Sequence, residues 1–122
     1  MSTQAIILLA HGSSDAQWRG AVERVAGRAR VLAPQCPLRC AYLELCEPSL
    51  PDCVAELAAL GVQGITVLPM FLGVGRHVRE DLPTLLDGLQ RAHPHIAFEL
   101  RAPVGEDERL IELLAQMAVS DV

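Results

Sequence analysis

The sequence predicts an α/β fold, a four-stranded parallel sheet in the order 2-1-3-4 with helices on both faces, in three α/β/α layers. Three observations lead there. Short apolar runs alternate four times with stripes at helical spacing. Gly and Pro stand between these blocks as punctuation, without a short internal repeat or a low-complexity tract. The runs also differ in polarity, which orders them across a sheet.

The first strand is the continuous apolar run Ala5 to Ala10. Trp18, Val22, Val25, Ala26, Ala29 and Leu32 then recur at helical spacing, and Ser14-Asp15-Ala16-Gln17 ahead of them has capping-box form, with Ser14 and Gln17 as the reciprocal pair. The intervening loop is therefore about Ala10 to Ser13. A second strand runs roughly from Leu38 to Glu44. The helix after it opens near Ser49-Leu50-Pro51-Asp52, closes before Gly61 and turns Leu50, Val54 and Leu57 inward.

Ile65 to Met70 is the third strand. Beyond a Gly-containing loop, Val78, Leu82, Leu85, Leu86 and Leu89 form the next stripe, in which Pro83 predicts a break or fresh start near Asp81. Ile96, Phe98 and Leu100 alternate with Ala97, Glu99 and Arg101 as a half-exposed strand. Leu110, Leu113, Leu114 and Met117 mark a last helix, led by Glu106, Asp107 and Glu108, whose charges suit the positive end of its dipole. Strands one and three are uniformly apolar, as central parallel strands are, whereas two and four carry Arg39, Glu99 and Arg101 as edges do. Right-handed crossovers then place the helices on both faces.

At 122 residues the chain is expected to form a single domain spanning 1–122. No apolar run approaches the roughly 18 to 20 residues that cross a bilayer, so no membrane is expected. Met1 leads straight into the first strand without a basic leader, which predicts a cytoplasmic protein. Net charge is -5, every one of the ten basic residues is Arg, and no basic run interleaved with aromatics is present, which argues against nucleic acid. A few Arg residues can still make a local positive patch for a polyanionic small molecule. Cys36, Cys40, Cys46 and Cys53 contain no C-x-x-C pair and are expected as small buried apolar residues; metal binding by these thiols is the sharper alternative.

Ligands of open parallel sheets bind beyond the carboxyl ends of the strands, at the point where strand order reverses, here between strands one and three. His11 follows strand one, Glu44 ends strand two, and Pro69 to His77 follows strand three, so two imidazoles and a carboxylate converge on one rim. His93 and His95 precede strand four and belong to the opposite edge. A lone His at a strand end is usually a local hydrogen-bonder, and Glu44 could cap a helix or pair with an Arg; the shared rim favours a ligand set. Such a mixed N/O set suits iron, cobalt, nickel or zinc and leaves coordination positions open.

His11-Gly12-Ser13, Tyr42-Leu43-Glu44 with Pro48-Ser49-Leu50-Pro51, and the stretch Leu68-Pro69-Met70-Phe71-Leu72-Gly73-Val74-Gly75-Arg76-His77-Val78-Arg79-Glu80-Asp81-Leu82-Pro83 resemble the small CbiX-type sirohydrochlorin chelatases over nearly the whole chain. The third motif is the specific one. The resemblance implies a chelatase-like fold and insertion of Co²⁺, or of Fe²⁺ or Ni²⁺, into the tetrapyrrole sirohydrochlorin without a further cofactor. It also implies a homodimer that encloses the macrocycle. It maps the metal-binding histidines onto His11 and His77 and the acidic active-site residue onto Glu44, the three groups expected to be catalytic.

Arg76 and Arg79 are candidate grips for the substrate's peripheral carboxylates, although solvated charge at a helix start is the plain alternative. Phe71 and Leu72, with Met70 and Val74, would offer the ring an apolar wall, or form no more than a strand end with its loop. Many relatives have Arg where Ser14 stands and Lys where Glu80 stands, so the positive rim is weaker here. An imidazole near neutrality serves as ligand or base, and Glu44 can accept or relay a pyrrole proton. A flavodoxin-like or dinucleotide-binding domain shares the strand-helix rhythm but not the first loop, since His11-Gly12-Ser13-Ser14 is not G-x-G-x-x-G, and Gly73-Val74-Gly75 has Val78 where a third glycine would stand. A non-catalytic metal carrier would use the same histidines, whereas a structural adaptor gives no reason for them to converge.

Overall fold

The computed structural model describes residues 3–122; Met1 and Ser2, where the leader expectation begins, lie outside the described residues. Strands β1 (Gln4–Ala10), β2 (Leu38–Tyr42), β3 (Gly64–Pro69) and β4 (Ala97–Leu100) pair in parallel in the order β2-β1-β3-β4, as the polarity of the runs predicts. Helices α1 (Ala16–Leu32), α2 (Leu50–Ala59), α3 (Arg76–Ala92) and α4 (Glu108–Ala118) follow them in turn, with a 3₁₀ turn at Val104–Glu106.

The period of two along β1 and β3 sorts their side chains onto two faces. On one face Ala5, Ile7, Leu9, Ile65 and Val67 pack against Leu50, Cys53, Val54 and Leu57 of α2 and Leu82, Leu86 and Leu89 of α3. On the other, Leu8 and Leu38 meet Ala26 of α1, with Val22, Ala29, Leu68 and Met70 partly buried beside them. The first core is the larger because two leucine-bearing helices cover it. The second rests on one helix whose inward residues are small.

That helix corrects the sequence reading. Trp18, Val25 and Leu32, expected inward, are 42%, 45% and 71% exposed, and only Ala26 of α1 is buried. A stripe through Val22, Ala26 and Ala29 lets the helix axis come close to the sheet, and the bulky residues fall to its flanks. The cap also differs. Asp15, not Ser14, is the N-cap of α1; its carboxylate accepts from the Gln17 N–H at 2.9 Å, and Ser13 Oγ accepts from the Asp15 N–H. An Asp one residue closer to the first turn takes over the role expected of Ser14, and the capping box with Gln17 does not form.

Pro83 does not break α3, which is continuous from Arg76 to Ala92. Proline inside a helix costs about 3 kcal/mol. Burying Leu82, Leu86 and Leu89 on one continuous face returns roughly 1.5–3 kcal/mol for each side chain, and Pro83 itself points to solvent. Packing outweighs the lost hydrogen bond. Strand β2 ends at Tyr42, short of the expected Glu44, yet the Leu43 and Glu44 N–H groups still donate to Ala10 and His11 carbonyls at 3.0 and 2.9 Å. Of the cysteines, only Cys53 is fully buried; Cys36, Cys40 and Cys46 are half-buried, and all four are free thiols.

Helix α4 has no buried residue: Ile111, Leu113, Leu114 and Met117 are 43%, 51%, 37% and 61% exposed. Its N-cap is Asp107, whose carboxylate accepts from the backbone and guanidinium of Arg109; these bonds hold that carboxyl well below the usual range. Glu106 belongs to the 3₁₀ turn, and Glu108 alone is the acidic residue of the first helical turn.

Candidate active site

Each parallel strand delivers its following residue to the same rim, and two chain segments there are strapped together through backbone. His11 directly follows β1, and its carbonyl accepts from the Glu44 N–H at 2.9 Å. Between them Gly12 has φ +105°, a left-handed conformation in which a Cβ would overlap the Glu44 carbonyl group. Only glycine fits a position that needs both the positive φ and the close approach. Leu45, next to Glu44, has φ 67°, a conformation costing an L-residue roughly 1–2 kcal/mol. The His-Gly pair therefore fixes the turn that carries Glu44.

The His11 ring lies against the Phe71 ring, with centroids 4.8 Å apart and planes tilted by 44°. Phe71 follows β3, is 5% exposed and belongs to the larger core. It supports His11 and does not offer the broad free face expected of a wall for a ring. Leu72, 68% exposed, does. The loop that holds both is pinned from the far side: the Gly105 N–H donates to the Phe71 carbonyl at 2.9 Å, and a Cβ on Gly105 would overlap the Leu72 carbonyl. Gly105 is not legible in the sequence, because a close approach between distant backbones leaves no local pattern.

His77 stands in the first turn of α3, fully on the solvent side. Among the described residues the side chains of His11, Glu44 and His77 make no hydrogen bond or ion pair, so their donor atoms are free for a ligand. They are not gathered into a closed cage: among the described residues no group of three His, Cys, Asp or Glu side chains stands close enough to hold a metal. The rim is shared, but the ligand trio is open. His93 caps the far end of α3 and His95 precedes β4, both on the opposite edge, as expected.

The two arginines of α3 part company. Arg76 pairs with Glu80 at 3.0 Å, so it is not the free grip that the sequence suggests. Arg79 donates to the Val74 carbonyl at 3.4 Å and borders a cleft of about 590 Å³ that Arg101 also lines. In the sequence Arg101 marks only an edge strand. Its position immediately beyond the carboxyl end of β4 is the signal that could have placed it on the rim.

Tyr42, at the end of β2, is buried, and among the described residues its hydroxyl has no hydrogen-bond partner; burial pushes its phenol up to about 12. Trp18 leans over it with ring centroids 6.4 Å apart.

The CbiX family model matches residues 5–120. The chain belongs to the CbiX family. Among its CbiX relatives is the sirohydrochlorin cobaltochelatase of Sulfurisphaera tokodaii, 28% identical over 91% of this chain and 88% of that protein. The cobaltochelatase of Methanopyrus kandleri is 34% identical over 67% of this chain, which spans only 57% of that relative's length. The solved structure of a putative cobalamin biosynthesis CbiX protein from Marinobacter aquaeolei VT8 superposes with a TM-score of 0.83 at 38% identity, covering 94% of this chain and 93% of that one. The sirohydrochlorin chelatase SirB of Bacillus subtilis subspecies spizizenii, solved with cobalt, shares the fold at a TM-score of 0.78 and 23% identity; this CbiX chain spans 50% of it.

Proposed function

We propose that this CbiX chain is a sirohydrochlorin chelatase, inserting a divalent metal, Co²⁺ foremost and Fe²⁺ as the alternative, into the macrocycle. The observation that carries the reading is the rim itself: two uncommitted imidazoles and an uncommitted carboxylate at the carboxyl ends of the central strands of a chain matched to the CbiX family over 5–120. The metal is substrate. Insertion exchanges one divalent ion for two pyrrole protons, so the site must present the ion weakly enough to release it and must take up two protons.

His11 and His77 present the metal, and Glu44 completes the donor set. An open arrangement suits transfer, because a closed cage of strong ligands would retain the ion. His11 is held in place by Phe71 and by its backbone bond to Glu44. His77 comes from a different element, so the approach of substrate can draw it toward the ion. A carboxylate or a free imidazole beside the macrocycle centre takes the pyrrole protons. Leu72 covers the ring from the exposed side of the loop, and no cofactor other than the substrate metal is required.

Two copies form the working unit. The unburied apolar side chains of α4, Ile111, Leu113, Leu114 and Met117, support a homodimer, and Leu113 with Leu110 lines a cleft of about 710 Å³ bordered by Val25, Leu68 and Met70. The compartment is the cytoplasm, whose reducing conditions suit four free thiols. No helix among the described residues is long and apolar enough to cross a membrane.

Anaerobic absorbance spectroscopy of sirohydrochlorin with Co²⁺, Fe²⁺ or Ni²⁺ tests the proposal. Incorporation faster than the spontaneous rate is expected, fastest with Co²⁺. Metal binding without acceleration would instead establish a carrier.

A further inference from the structure

Arg76, Arg79, Glu80, Arg101 and Glu106 cluster around the start of α3 and the end of β4, outside the proposed metal donors. Arg76 and Glu80 satisfy one another at 3.0 Å. Arg79 and Arg101 enter no ion pair among the described residues, and both line the cleft of about 590 Å³ between the start of α3 and the end of β4. Glu106 is the one carboxylate on that lining, so the cleft carries two positive charges against one negative. Val74, Leu82 and Leu100 supply its apolar side.

The two arginines are carried by independent parts of the fold. Arg79 rises from the first turns of α3 and donates to the Val74 carbonyl, which restrains its head beside the loop. The backbone of Arg101 extends the β3–β4 ladder by one step, its N–H donating to the Val67 carbonyl at 3.0 Å. Two cationic side chains carried by a helix on one side and the edge of a sheet on the other, beside an apolar wall, match a carboxylate at the end of a short hydrocarbon arm. Two planar forks can grip the two oxygens while the methylenes of the arm lie on Val74, Leu82 and Leu100. Pro69, the last residue of β3, also lines the cleft, so it opens on the same carboxyl rim as the proposed metal donors, where the periphery of a macrocycle can reach it.

We propose that Arg79 and Arg101 form a specificity subsite for one peripheral carboxylate of the tetrapyrrole. This rests on the chelatase reading. The subsite orients the macrocycle and takes no part in proton or metal transfer, so its loss acts on substrate affinity and leaves the chemical step intact.

The test is steady-state kinetics of cobalt insertion, together with fluorescence titration of metal-free sirohydrochlorin, for Arg79→Gln, Arg101→Gln, the double variant and Arg101→Lys. Arg91→Gln, at the far end of α3, is the control. A hydrogen bond to a charged group is worth about 1.5–3 kcal/mol, so each single Gln variant should raise KM and the dissociation constant by roughly tenfold or more, with kcat within about twofold of wild type. The double variant should lose less than the product of the singles, because both groups hold one carboxylate, and Arg101→Lys should recover only part of the affinity. Both side chains are exposed, so thermal melting should match wild type. Unchanged KM in both single variants, with active wild type, would overturn the subsite. A wild-type protein that neither binds sirohydrochlorin nor accelerates insertion would instead remove the chelatase reading, a result told apart by the wild type alone.

Discussion

Gly12 carries two demands at once, a φ of +105° and contact with the Glu44 carbonyl. Gly12→Ala must displace the Glu44 turn as well as bear the left-handed backbone, and should destabilise the protein by more than about 2 kcal/mol in urea unfolding while reducing chelatase activity. Tyr42 makes the opposite case. Its buried hydroxyl has no partner among the described residues, so Tyr42→Phe should leave stability unchanged or raise it by up to about 1 kcal/mol, read as the melting midpoint. Burial raises the Tyr42 phenol from 10.0 to about 12 and the Cys53 thiol from 9.0 to about 11. A folded state that holds these protons more tightly than the unfolded chain is fully favoured below the ordinary values and loses that advantage as pH rises through the raised ones. Denaturant midpoints should therefore fall across that alkaline window, less steeply in Tyr42→Phe.

At the scale of elements, α3 shows what local pattern can and cannot decide. Its leucine stripe is legible because burial has a period that sequence displays. The continuity through Pro83 is not, because the sum of three buried leucines against one missing N–H is a tertiary quantity. Pro83→Ala should restore the donor to the Arg79 carbonyl and stabilise the protein by about 1–2 kcal/mol in denaturant unfolding, the gain from a regular helix being offset in part by a freer unfolded chain. The facing of helix α1 is hidden for a related reason: small residues permit the closest approach to a sheet, so Ala26 is buried while Trp18 is not. The strand order is legible because charge on β2 and β4 marks the edges and β1 and β3 carry none.

On the scale of the whole molecule, the carboxyl rim collects residues that lie far apart along the chain, and parallel topology makes that collection readable from strand order. His11, Glu44 and His77 fall on it because each follows a strand or opens the next helix. How closely they approach is not readable, since loop paths depend on contacts such as Gly105 against Leu72. Arg101 escapes for want of a motif. The exposed face of α4 points outward from this rim's flank, and charging it should weaken self-association: Leu114→Glu with Met117→Glu should shift the protein from dimer to monomer in light scattering, and a wild-type monomer at every concentration would refute the pairing.

The central claim, that His11 and His77 hand a divalent metal to sirohydrochlorin, is tested most directly by anaerobic cobalt-insertion rates for His11→Ala and His77→Ala, each first shown by circular dichroism to be folded. Enzyme-dependent insertion should fall to near the spontaneous rate in both variants. Wild-type rates in either one would contradict the assignment of that histidine and with it the site.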